Sequence, residues 1–160
     1  MTRLAAHPNI AGIKFATTDV MLLSRAIAAS DPNGALYVCG LAESWAPAFA
    51  AVGARGFTSG LVNVAPEFSL QVHAALAAGD FAAARSVVER IELFERLRTK
   101  YRNGANVTVV KEAVALQGFH VGPVREPGLP VLDAADRDAL RSLMQSWGLL
   151  AGTVAADSEL

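Results

Sequence analysis

The sequence predicts an α/β fold in which three strand-then-helix units are followed by a helical extension. In the first half of the chain, short apolar runs alternate with amphipathic stretches. Beyond about residue 66, apolar residues recur at helical intervals. Hydrophobic residues make up 52% of the 160 residues and charged ones 18%, which suits a heavily buried α/β core.

Three apolar runs are predicted to form short strands. They cover residues 10–14, 35–40 and 56–60. Each is followed by a helical pattern, so right-handed helical crossovers should place the strands parallel to one another.

The three intervening helices have recognisable ends. The first is opened by Asp19 and stopped by the "DPNG" turn at 31–34, and the second covers about 44–52. The third begins at Pro66, a residue suited to a helix N-terminus.

The second half of the chain is predicted to be helical. A long amphipathic helix runs from Phe81 to Tyr101, and another runs from Asn106 to Gly118. A loop rich in Pro and Gly follows, and Asp133 caps a last helix. Lys111 belongs to this extension.

Arg125 also lies in the extension, and for both cations we expect packing, capping and solvation rather than chemistry. The predicted division is therefore 1–78 for the strand-containing part, 79–150 for the helical part and 151–160 for a flexible tail.

Composition excludes several classes of function. A net charge of −1 with scattered signs argues against nucleic-acid partners and against a polybasic membrane patch. No apolar run approaches the ~20 residues that span a bilayer, and the N-terminus lacks the apolar core of a signal peptide. The lone cysteine, Cys39, is expected to be a small buried residue in a cytoplasmic protein. The three histidines are far apart in sequence, so no metal site is predicted.

Lys14 raises the question of catalysis, because it ends an apolar run in a chain with three lysines. Burial among apolar neighbours would favour the neutral amine, which can attack a carbonyl carbon. The alternative is a strand-end lysine whose ammonium reaches solvent. The pattern alone leaves both open.

Three segments together carry a family resemblance. "HPNIAGIKFATTD", "YVCGLAESWAPAFAAVGARGFTSGLVNVAPE" and "NGANVTVVKEAVALQG…GPVREP" follow in this order. They resemble the C-terminal half of the dihydrodipicolinate synthase / N-acetylneuraminate lyase superfamily. The resemblance implies that the three strands are the last three of a TIM (β/α)₈ barrel. About five preceding β/α units are then expected outside this chain, which would be a truncated product, a fragment or a chain completed by a partner.

The resemblance also implies an activity. Members are lyases, either aldolases or hydro-lyases, that form a Schiff base with pyruvate or a related 2-oxo acid, and Lys14 matches the imine-forming lysine. No cofactor is implied, and the full-length form is expected to be a homo-oligomer, either a dimer or a tetramer. The alternatives are a non-catalytic remnant or an accessory subunit that completes or regulates another barrel chain. A free-standing α/β binding domain would leave the strand edges unexplained.

Four further residues match substrate-binding positions of the family: Gly40, Glu43, Thr58 and Ser59. For Glu43, helix capping or solvation is an equal alternative to substrate contact. For Ser59, the equal alternative is a hydrogen bond that stabilises a turn. Phe15 stands where many relatives carry an acidic residue, which would alter the polarity beside Lys14.

The proton-shuttling tyrosine and the carboxylate-binding threonine pair of the family belong to earlier strands. Tyr37 lies inside a strand and Tyr101 closes a helix, so neither fits the first role. Thr17 and Thr18 are instead expected to cap a helix together with Asp19. We therefore expect little or no aldolase turnover from these 160 residues alone.

Overall fold

The computed structural model describes residues 2–129 and 131–150. The described residues fall into two compact units, one up to Arg90 and one from Ile91 onward. The predicted division at 78/79 separates the part that contains strands from the part that is helical, and it stays a prediction. The predicted tail, 151–160, lies outside the described residues. Among those described, no helix is both long enough and apolar enough to cross a membrane.

The first unit contains a small parallel sheet and the helices that cover it. Its elements are, in order, α1 (Thr2–Ala5), β1 (Gly12–Phe15), α2 (Val20–Ala28), β2 (Leu36–Cys39), α3 (Ala42–Ala51), a 3₁₀ turn (Leu61–Asn63) and α4 (Pro66–Ala77). Asp19 caps α2 as predicted, because its Oδ1 accepts from the amide of Leu22 at 2.8 Å. Pro66 begins α4, also as predicted.

The two strands pair in parallel, with Lys14 opposite Val38 and Phe15 opposite Cys39. The strand predicted over 56–60 is wrong in extent, since the structure has one parallel bridge there, between Cys39 and Phe57. Two hydrogen bonds hold this bridge: Cys39 N donates to Gly56 O at 2.8 Å, and Thr58 N donates to Cys39 O at 2.9 Å. Residues 55–58, hereafter the third segment, therefore lie where a third strand is expected but pair with β2 through a single bridge.

The two faces of this sheet differ in burial. Side chains alternate along a strand, and one set packs with the helices in a core cluster that contains Phe15, Leu23, Tyr37, Cys39 and Phe49. The other set forms what we call the open face: Gly12, Lys14, Leu36, Val38, Gly56 and Thr58. Leu36 on this face is 46% exposed. An apolar strand residue with so much exposed surface shows that the described residues leave this face uncovered.

The second unit is built from α5 (Phe81–Asn103), whose early part lies in the first unit, α6 (Asn106–Leu116) and α7 (Ala134–Ser146). Its core includes Ile91, Phe94, Leu97, Val109 and Met144, all less than 4% exposed. Asp133 caps α7 as predicted, because its Oδ1 accepts from Asp136 N at 2.8 Å.

Lys111 of α6 fixes the loop that joins α6 to α7. Its Nζ donates to the carbonyl oxygens of Val121, Gly122 and Pro123 at 3.1, 3.4 and 2.8 Å. The loop has no regular secondary structure through Leu129, as its Pro and Gly content predicts. The ammonium group of Lys111 thus ties three consecutive carbonyls of this loop to α6.

Candidate active site

Lys14 lies near the carboxyl end of β1, on the open face of the sheet. The side chain is exposed, so in the described residues Lys14 fits the alternative of a strand-end lysine that reaches solvent rather than burial among apolar neighbours. The physical reason is strand alternation, which directs Ile13 and Phe15 toward the helices and Lys14 toward the face that nothing described covers.

The other two lysines of the chain are engaged in polar contacts. Lys100 forms an ion pair with Asp136, which raises the pKa of Lys100 above its ordinary value. Lys111 holds the three loop carbonyls. Within the described residues, Lys14 alone of the three has an amine without a hydrogen bond or ion pair. It is therefore the lysine available to react.

Gly40 directly follows the neighbouring strand β2 and lies beside Lys14. A Cβ at this position would stand 2.9 Å from Lys14 Cε and 2.8 Å from the Cβ of Ala16. Such distances are shorter than carbon atoms tolerate, so a side chain here would displace the lysine. Contact between Gly40 and a substrate stays a prediction. What the structure shows is that this glycine makes room for the lysine stem.

The side chain of Phe15 packs in the core cluster, away from Lys14. Its expected effect on the polarity beside Lys14 stays a prediction. Its ring packs edge-on against Phe49, with the centroids 6.3 Å apart, and its side chain is 4% exposed. Since adjacent residues of a strand face opposite ways, Phe15 serves the core while Lys14 faces the open side.

Thr58 and Ser59 follow the bridge of the third segment. Thr58 is exposed on the open face and is held by its backbone amide to Cys39. The hydroxyl of Ser59 accepts from Val62 N at 3.2 Å, which is turn chemistry at the start of the 3₁₀ turn. Substrate contact by either residue stays a prediction.

Glu43 is fully buried in the first turn of α3. Its Oε1 accepts a short hydrogen bond from Ser69 of α4, and its Oε2 has no partner among the described residues. In this arrangement the carboxylate has no surface to offer a substrate, so the predicted substrate contact would require the first turn of α3 to rearrange. Sequence spacing gave no sign of Ser69, which lies 26 residues away.

The side chain of Cys39 contacts the turn between β2 and α3. The thiol is buried, as predicted, and burial raises its pKa, so it stays protonated. Its Sγ accepts from Leu41 N at 3.4 Å. Ala42, the next residue, has φ of 63°, a left-handed conformation that is strained for alanine. The sharp turn after Gly40 therefore includes a strained backbone conformation at Ala42.

Comparison with known proteins places the chain in a family. The family model described as the dihydrodipicolinate synthetase family matches residues 1–146. The chain belongs to this family. Its curated relatives include the 4-hydroxy-tetrahydrodipicolinate synthase of Methanoculleus marisnigri, 36% identical over 92% of this chain and 49% of the relative. The probable 5-dehydro-4-deoxyglucarate dehydratase 2 of Streptomyces avermitilis is 36% identical over 91% of this chain and 44% of its own length.

Solved structures of the family share the fold. The dihydrodipicolinate synthase of Oceanobacillus iheyensis superposes with a TM-score of 0.85 at 39% identity, covering 91% of this chain and 49% of that one. The dihydrodipicolinate synthase of Acinetobacter baumannii, solved in complex with pyruvate, gives 0.78 at 29% identity, over 93% of this chain and 49% of that one. The chain thus spans about half the length of the relatives it matches, and its fold corresponds to part of their TIM barrel.

Proposed function

We propose that the chain is part of a Schiff-base-forming lyase that acts on pyruvate or a related 2-oxo acid, with Lys14 as the imine-forming residue. One observation carries the proposal. Lys14 is the lysine with an unengaged amine among the described residues, and it lies near the carboxyl end of a parallel strand in a chain of the dihydrodipicolinate synthetase family. Active sites of barrel enzymes form at that end of the strands.

The chemistry follows from the amine. Neutral Lys14 Nζ attacks the C2 carbonyl carbon of the 2-oxo acid, and loss of water leaves a protonated imine. The positive imine nitrogen withdraws electrons from the neighbouring carbon, which eases either loss of an α-proton or cleavage of the adjacent C–C bond. Barrel units that covered the open face would exclude water from the reacting amine.

We expect neither tyrosine to supply the acid–base chemistry of the later steps. The hydroxyl of Tyr37 lies 2.9 Å from Ser30 Oγ on the buried side of the sheet, away from Lys14. Tyr101 belongs to the second unit, near the end of α5. Orientation and proton transfer each contribute large rate factors. We therefore expect little or no turnover from the 160 residues alone, with the remaining barrel units supplying the acid–base groups.

Reductive trapping tests the assignment of Lys14. The chain is incubated with pyruvate and borohydride, and adducts at its three lysines are quantified by peptide mapping. We expect labelling at Lys14 to exceed that at Lys100 and Lys111, and to vanish in Lys14→Arg. Equal labelling at all three lysines, or none at Lys14, would contradict the proposal.

A complementation assay separates the lyase from the accessory-subunit alternative. The early β/α units of a family member are supplied in trans, and aldol cleavage and dehydration are measured with wild-type chain and with Lys14→Arg. Turnover that requires Lys14 supports the lyase. Turnover that is equal with Lys14→Arg would mean that this chain only completes another catalyst. Measurable turnover without any added units would contradict the expected incompleteness.

The proposal also covers the type of reaction, the cellular compartment and the oligomeric state. Among the relatives, one group is named for dipicolinate synthesis and another for sugar-acid dehydration, so both condensation and hydro-lyase chemistry fit the site. A single buried thiol that stays protonated is compatible with a reducing cytoplasm. We propose a homo-oligomer for the complete protein, which light scattering of the full-length form would test.

A further inference from the structure

A cavity lies in the first unit, against helices α3 and α4. It is about 460 Å³ in volume and opens between the C-terminal halves of α3 and α4, beside the start of the third segment. Phe57 of the lining bridges Cys39, which pairs with Phe15, so the cavity reaches the level of Lys14 along the strands. Two of its walls are formed by α3 and α4, whereas Lys14 lies on the open face of the sheet. The volume falls in the range of about 300–1,000 Å³ that is typical of small-molecule sites.

Small side chains create the space. Ala46 and Ala50 of α3 are one turn apart on the same helix face and line one wall, and Ala77 of α4 lines another. Phe57, Leu76 and Phe81 supply the larger apolar surfaces. The interior is thus shaped for a compact apolar group, which would be stabilised by removal of its surface from water.

Two nitrogen-bearing side chains supply the polar part of the lining. Arg55 is anchored through its backbone amide, which donates to Tyr37 O at 2.9 Å, and its guanidinium has no ion pair among the described residues. His73 lies one helical turn before Leu76 and Ala77, on the same face of α4. No Asp or Glu belongs to the lining. The charge of this cavity is therefore complementary to an anion.

We propose that this cavity binds a monocarboxylate with a short branched apolar chain, the carboxylate meeting Arg55 and His73 and the chain filling the space beside Ala50 and Ala77. A guanidinium presents paired N–H donors that match a carboxylate, which fixes the orientation of the ligand. The proposal does not depend on the chemistry of Lys14.

Titration of the full 160-residue chain with 4-methylpentanoate tests the site, followed by backbone amide NMR shifts. Two matched probes each retain one part of 4-methylpentanoate. The first, 4-methylpentan-1-ol, has the branched chain without the carboxylate, and the second, acetate, has the carboxylate without the chain. We expect saturable shifts at Arg55, His73 and Ala77 with 4-methylpentanoate, and an apparent Kd at least about tenfold higher for each of the other two, because each lacks one half of the recognition.

Three variants complete the test. Arg55→Gln should weaken binding about tenfold, the loss expected for a hydrogen bond to a charged group. Ala77→Leu should abolish binding by filling the space, while Arg85→Gln, an exposed arginine outside the lining, should leave it unchanged. Thermal unfolding of each variant verifies that it is folded. Absence of saturable shifts with wild type, equal affinity for the alcohol, or binding that survives both Arg55→Gln and Ala77→Leu would each overturn the proposal.

Discussion

Gly40 and Lys14 are packed so closely that the lysine stem occupies the space a side chain at position 40 would need. A Cβ there would lie 2.9 Å from Lys14 Cε and 3.1 Å from Lys14 Cγ. The backbone of Gly40 is itself fixed, because its amide donates to Phe15 O at 2.8 Å. Relief could therefore come only from movement of the lysine or of Ala16. The direction in which Lys14 presents its amine therefore depends on the glycine that directly follows the adjacent strand.

Gly40→Ala should accordingly reduce pyruvate trapping at Lys14 by about tenfold or more, since small misplacements of a reacting group are costly. Trapping at Lys100 and Lys111 gives the internal reference. Gly56→Ala is a matched control on the same face, because its Cβ would meet Val38 Cγ1 at an ordinary 3.7 Å. If the two variants are trapped at Lys14 equally well, close packing by Gly40 does not orient the lysine.

Features set by neighbouring residues were predictable from the sequence. The caps at Asp19 and Asp133 each satisfy an amide three residues further along, so a local pattern is sufficient to identify them. The same holds for the parallel order of the strands, which follows from alternation with helices. The placement of Lys14 at a strand end was visible because a charge interrupts an apolar run.

Features set by distant partners were not predictable. The burial of Glu43 depends on Ser69, and the role of Lys111 depends on carbonyls that begin ten residues later. No sequence period links these residues. The sequence also left open whether Lys14 is buried or exposed, because the pattern of a buried strand does not reveal whether both of its faces are covered.

Lys111→Met should loosen the loop between α6 and α7. Removal of the ammonium leaves three carbonyls without their shared donor, and we expect a loss of about 1 kcal/mol in the free energy of unfolding. Cleavage by trypsin after Arg125, followed by mass spectrometry, should become several-fold faster. Arg141→Met removes an exposed cation from the same unit and should leave this rate unchanged. Unaltered cleavage in Lys111→Met would show that the loop holds its shape without the lysine.

Arg102→Gly should stabilise the chain. Tyr101, Arg102 and Asn103 have φ of 54°, 54° and 69°, so the last three residues of α5 lie consecutively in the left-handed region. Such conformations cost non-glycine residues roughly 1–2 kcal/mol each, whereas glycine adopts them freely but loses more backbone entropy. The net expectation is a gain of about 0.5–1 kcal/mol in urea unfolding.

The control for Arg102→Gly is the same type of substitution within regular helix. Glu89 is exposed in α5, and Glu89→Gly should lower the free energy of unfolding by about 1 kcal/mol, because glycine is a poor helix former there. Opposite signs for the two substitutions support backbone strain at Arg102. Destabilisation by both would mean that the left-handed turn carries no relievable strain.

The contact between Glu112 and Arg137 should make stability depend on pH in the acid range. Burial alone would raise the pKa of Glu112, but hydrogen bonds from Arg137 and from Leu132 N hold this pKa below its ordinary value. A carboxyl whose pKa is lower in the folded state binds fewer protons there than in the unfolded state. Its contribution is complete above the ordinary value of 4.5 and is lost as pH falls through the folded value.

A double-mutant cycle isolates this contribution from other acids. Urea unfolding of wild type, Glu112→Gln, Arg137→Gln and the double variant gives the coupling between the two side chains. We expect a stabilising coupling at pH 7 that declines steadily below pH 4.5, because protonated Glu112 no longer attracts the guanidinium. The same cycle with Glu89→Gln in place of Glu112→Gln should show no coupling at either pH. A coupling between Glu112 and Arg137 that is equally large at pH 7 and in strong acid would contradict a charge-based contact and assign their packing to the uncharged parts of both side chains.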